Sequence, residues 1–79
     1  MKPIQIEGEL HLTLETVAEV YAVRVVWLRE VCDAGLLEAR PHDQGELCIA
    51  TVQLERLAQI VRMNVVLGLD LDAVEALLD

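Results

Sequence analysis

The chain has 79 residues, 54% of them hydrophobic, with one Trp, one Tyr and no Phe. That composition excludes a disordered chain and indicates a single domain, residues 1–79, whose core is built from Val, Leu, Ile and Ala. Fourteen acidic against six basic side chains give a formal charge of -8, which opposes a polyanionic partner and favours a basic one.

In chain order, Ile4, Ile6, Leu10, Leu12 and Leu14 alternate around Glu7-Gly8-Glu9, which predicts an extended segment with a turn at Gly8. Thr13 then suits an N-cap, with Glu15 in the first turn of a short helix. Leu14, Val17, Ala18 and Tyr21 share one face of it. After a tight break at Ala22-Val23, a second helix is expected from Arg24 to Ala34. Val25, Leu28 and Cys32 form its inward set, Val31 lies on the flank, and Gly35 provides a left-handed C-cap.

Leu36-Leu37 return to the core, and Pro41 to Gly45 is the clearest turn. It leads into Leu47-Cys48-Ile49, a strand expected to pair with residues 36–39 as a two-stranded wing. Thr51 is read as the cap of a third helix with Leu54, Leu57, Ala58, Val61 and Val65 as its buried stripe. Gly68 ends that region, and Asp70 caps a last helix running from Leu71 to the terminus, with Leu71, Val74, Leu77 and Leu78 on one side. The fold expected is mainly α: two tightly joined helices, a small two-stranded β wing and two further helices.

From about Leu12 onward this order resembles the winged helix-turn-helix domain of the MerR superfamily. The resemblance rests on Leu14, Val17 and Ala18, on Ala22-Val23, Leu28-Arg29 and Gly35-Leu36-Leu37, and on Gly45, Leu54-Glu55-Arg56-Leu57 and Leu67-Gly68-Leu69. Within it, Leu28-Arg29-Glu30-Val31-Cys32, Leu37-Glu38-Ala39-Arg40 and Leu67 to Val74 resemble the CbpM chaperone-modulator family. That resemblance implies a protein that binds the J-domain of a DnaJ-like co-chaperone and inhibits it. The family's usual C-terminal helical extension does not follow Asp79. Leu71, Val74, Leu77 and Leu78 are left to pack inward, or partly outward against a second copy as a homodimer.

The surface residues separate a protein partner from DNA. Arg24, Arg29 and Arg40 are the residues that could neutralise phosphates, as in a transcriptional regulator. Glu30 stands where DNA-binding relatives carry an aromatic, and Leu47, preceded by Glu46, stands where they carry a wing Arg. A carboxylate against a phosphate gains nothing and must be desolvated. The partner-binding set is therefore read as Trp27, Val26, Glu30, Asp33, Asp43 and Glu46, with Trp27 as anchor and the carboxylates facing the basic helix of a J-domain. The alternative for Trp27 is that it covers the core beside Tyr21.

Cys32 and Cys48 lack framework spacing, which fits a reduced, cytoplasmic setting. Weighed with His11 and His42 as metal ligands, they read better as small buried apolar residues, and His42 as exposed at the wing tip. No cofactor, no metal and no catalytic constellation is expected, so the chain is read as a non-enzyme. MKPIQIEGEL lacks an apolar signal core and no run approaches membrane length, so no membrane partner is expected either.

Overall fold

The structure is a computed structural model that describes residues 3–78. The opening alternation forms a hairpin of two antiparallel strands, β1 (Ile4–Ile6) and β2 (Glu9–Thr13). Its two-residue turn has positive φ at both Glu7 and Gly8, the geometry whose twist matches that of the strands it joins. Thr13 ends β2 and caps α1 (Leu14–Tyr21), its hydroxyl accepting from the Thr16 N–H at 3.1 Å.

Helix α1 stops on Ala22 in the left-handed conformation. The Val23 N–H reaches back to the Ala18 carbonyl, and the Ala22 N–H to that of Glu19, closing the helix in a Schellman motif without glycine. Helix α2 (Val25–Asp33) follows at once. Its buried residues are Leu28 and Val31, whereas Val25 and Cys32 are half-buried. The inward face is thus centred on Val31 instead of Cys32, because Cys32 fronts a surface depression beside Leu47. Gly35 closes α2 as expected: φ is 81°, and the Leu36 and Gly35 N–H groups return to Val31 and Cys32.

The fold class read from sequence requires correction. The described residues form four α-helices and one four-stranded antiparallel sheet in the order β1-β2-β4-β3, not a two-stranded wing with helices around it. Strand β3 is Ala39–Pro41 and β4 is Leu47–Ala50, paired as Ala39 with Ile49, Arg40 with Cys48 and Pro41 with Leu47. The expected strand at residues 36–39 begins later: Leu36 and Leu37 are buried in the segment that leaves α2, and pairing with β4 starts only at Ala39. The other edge of β4 pairs with β2: His11 with Ala50, Leu12 with Ile49 and Thr13 with Cys48. This ladder joins the N-terminal hairpin to the later one.

Helix α3 (Leu54–Val61) is entered through a 3-10 turn, Thr51–Gln53, and has no side-chain cap. The expected Thr51 cap is therefore corrected: Thr51 belongs to the turn, two residues before the N-cap position at Gln53. A π turn, Arg62–Val66, prolongs α3, with the Leu67 N–H bonded to the Arg62 carbonyl at 2.9 Å. Helix α4 (Leu71–Leu78) begins where expected, Asp70 Oδ1 accepting from the Ala73 N–H at 2.8 Å. Asp79, the last residue of the helix read from sequence, lies outside the described residues.

The core is one cluster fed by every layer: Leu12 and Ile49 from the sheet, Leu14, Val17 and Ala18 from α1, Leu28 and Val31 from α2, Leu57 and Ile60 from α3, and Val74 from α4. Ile60 replaces two residues of the stripe expected on α3, since Ala58 and Val65 are exposed. Val65 lies in the π turn, which carries more residues per turn than an α-helix, so a 3.6-residue period projected into it loses phase. Ala58 precedes that turn, and within α3 the buried face runs through Leu57 and Ile60, three residues apart. On α4, Leu71 and Leu78 pack against the cluster and Leu77 stays exposed.

Candidate interaction surface

Val26, Glu30 and Asp33 are all exposed and follow one another along the outside of α2 at i, i+4 and i+7. Asp43 and Glu46 are exposed at the turn between β3 and β4. Two depressions run between α2 and this hairpin. One is lined by Glu15 of α1, Val25 and Arg29 of α2, and Glu46 and Leu47 of the hairpin. The other is lined by Cys32, Asp33, Leu47, Glu38 and Arg56. The fold therefore brings Glu46 together with Glu15 and Arg29, and Asp33 together with the strand beside Glu46, while Val26 and Glu30 lie on the outer side of the same helix.

Trp27 lies one turn before Glu30 on α2, on the flank that faces the π turn. It is half-buried and packs against the core, as does Tyr21. Its indole Nε1 donates to Asn64 Oδ1 at 2.7 Å, and Asn64 Nδ2 donates to the Leu69 carbonyl at 2.6 Å. Its ring also lines a small apolar cleft with Ala22, Val23, Arg24 and Val65. Trp27 thus covers the core, as the alternative reading had it, and keeps part of its side chain at the surface. Sequence reasoning passed over Asn64. The signal available was one amide in the apolar run Met63-Asn64-Val65-Val66-Leu67.

Among the described residues, Arg24, Arg29, Arg40 and Arg56 lie in different surroundings. Arg40 is ion-paired with Glu7 of the β1–β2 turn, and this bond and charge raise its pKa further above the ordinary arginine value. Arg24 lies beside Trp27, whereas Arg29 shares its depression with two carboxylates. Arg56 donates through Nε to the Leu36 carbonyl at 2.7 Å.

Cys48 is fully buried and Cys32 half-buried. Burial, assisted by the charges of Glu46 and Asp33 respectively, raises both thiols above the ordinary cysteine value, away from the thiolate that binds metals or attacks disulfides. His11 is buried on β2 and satisfied by the Glu9 carbonyl, 2.9 Å from Nδ1. The expectation for His42 is corrected: it is half-buried, with Nε2 3.7 Å from Asp43, because its N–H is drawn to the Glu46 carbonyl across the turn. Among the described residues no three His, Cys, Asp or Glu side chains gather as a metal site, and no helix is long and apolar enough to cross a membrane.

Comparisons with protein-family models, with curated proteins and with solved structures find no match for this chain.

Proposed function

We propose that this chain is an inhibitory modulator of a DnaJ-like co-chaperone in the cytoplasm. It binds the basic J-domain through the acidic surface of α1, α2 and the β3–β4 hairpin, and so occludes docking of the Hsp70 partner. The observation that carries the reading is the exposure of Glu30, Asp33, Asp43 and Glu46 on α2 and the neighbouring hairpin. Such a field steers a basic surface toward it, and the wrong sign of partner is repelled. The resemblance of Leu28 to Cys32 and of Leu67 to Val74 to chaperone modulators supports the same partner. Inhibition needs no catalysis, only coverage of a helix that Hsp70 also uses.

The charge pattern that favours a J-domain weighs against DNA. Of the three arginines that would face phosphates, Arg40 is engaged by Glu7 and Arg29 is set among Glu15 and Glu46. Titration of the chain against a J-domain and against duplex DNA, each at low and moderate salt, tests the reading. Saturable J-domain binding with weak or no DNA binding is expected. Tight DNA binding with a steep salt slope would overturn it in favour of a transcriptional regulator.

A further inference from the structure

We infer that Asn64 is a positioning residue for partner binding: from the π turn it fixes the Trp27 ring as the apolar end of the acidic surface. The inference rests on the function proposed above and adds a residue to its site. Trp27 and Glu30 are three residues apart on α2 and therefore neighbours on its surface. The indole has one donor and no acceptor. That donor is occupied by Asn64 Oδ1 at 2.7 Å, so an incoming partner meets the ring and not the N–H.

Asn64 is itself held. Its Nδ2 donates to the Leu69 carbonyl at 2.6 Å, which sets which way the amide points. The Leu69 N–H in turn bonds to the Met63 carbonyl at 3.0 Å, locking the turn on which Asn64 sits. One amide thus ties α2 to the segment that leads into α4. It also keeps the ring as a wall of the cleft with Ala22, Val23, Arg24 and Val65. A large aromatic anchor that is already ordered loses less on binding than a mobile one, and removal of that order weakens binding by several-fold to about tenfold.

Two substitutions separate positioning from simple maintenance of the turn. Asn64→Asp keeps the acceptor for the indole and removes the donor to Leu69; Asn64→Leu removes both. Each is compared with the wild type by near-UV circular dichroism of the single tryptophan, by thermal midpoint and by titration with a J-domain. Positioning predicts that Asn64→Asp, which keeps the acceptor for the indole but sets its second oxygen against the Leu69 carbonyl, retains more of the tryptophan band and of the affinity than Asn64→Leu does. Asn64→Leu then loses the band and binds several-fold to about tenfold more weakly.

Trp27→Phe, which retains a ring but has no N–H for Asn64, shows a similar loss without a change in the π turn. The inference is overturned if Asn64→Leu keeps both band and affinity, if both Asn64 variants weaken alike with their thermal midpoints, or if Trp27→Phe binds at full strength. A wild type that binds no J-domain removes the function on which the inference rests. A wild type that binds while Asn64→Leu binds equally removes the inference alone.

Discussion

Leu12 and Ile49 face each other across the β2–β4 ladder, and both are buried in the same cluster as the helices. The pair is where the N-terminal hairpin becomes part of the domain. Truncation of Leu12 to Ala removes buried methyl groups and leaves a cavity, at a cost of about 2–4 kcal/mol. That is a large share of the roughly 4–12 kcal/mol typical of a chain this size. Leu10 lies on the same strand and is 44% exposed; Leu10→Ala is expected to stay within about 0.5–1 kcal/mol. Urea unfolding of the two variants against the wild type gives the comparison. Equal losses would mean that β2 does not depend on its pairing with β4.

Two left-handed helix caps invite opposite changes. Ala22 adopts φ 55° and ψ 42° at the end of α1, where a side chain is disfavoured by about 1–2 kcal/mol. Ala22→Gly relieves that strain but frees the unfolded chain, leaving a net gain of up to about 1 kcal/mol. Gly35 has φ 81° with open space around a would-be Cβ. Gly35→Ala therefore loses about 1 kcal/mol for backbone reasons alone. Thermal midpoints moving in these opposite directions are the expected result.

The thiols predict a slope with pH. Burial raises Cys32 and Cys48 above the ordinary thiol value, so the folded chain keeps protons that the unfolded chain releases. Stability is then unaffected by these groups below the ordinary thiol pKa and falls as pH rises through it. Denaturation midpoints at neutral and alkaline pH check the sign, and Cys32→Ala is expected to flatten part of the decline. Alkylation supplies a second measure: both thiols react slowly at neutral pH, and Cys48 reacts only as the domain unfolds.

Much of the local structure was legible in the sequence. Thr13, Gly35 and Asp70 each act where their chemistry suits a helix end, and the Gly8 turn forms where alternation breaks. The four-stranded sheet was not legible, because β2 and β4 are joined by pairing between residues some 37 positions apart, such as Leu12 and Ile49. Nothing in either strand's own pattern names its neighbour. His11 illustrates the cost: alternation points Leu10 inward, yet Leu10 is exposed while His11 and Leu12 are both buried on opposite faces of a sheet covered on each side at that point. The acidic residues of the candidate surface were legible as exposed positions. The partners of Asn64 and of Glu7 were not, since Trp27 and Arg40 lie 37 and 33 positions away in the chain.

Glu7 and Arg40 make a prediction of their own. The pair lies on the surface, where such contacts contribute little, so Glu7→Gln leaves the unfolding midpoint nearly unchanged. It also frees Arg40 from its only ion-pair partner among the described residues. If the basic side chains served DNA, the variant would bind duplex DNA measurably better at low salt; no gain is expected, because Glu30, Asp43 and Glu46 remain in place.

The acidic surface itself is tested most directly by reversing it. Calorimetric titration of a J-domain into the wild type and into Glu30→Lys/Glu46→Lys, at low and moderate salt, reads its contribution. The account predicts at least a tenfold weaker complex for the variant at low salt, with the difference narrowing as salt screens the charges. Equal affinity of the two proteins, or no J-domain binding by the wild type, would contradict it.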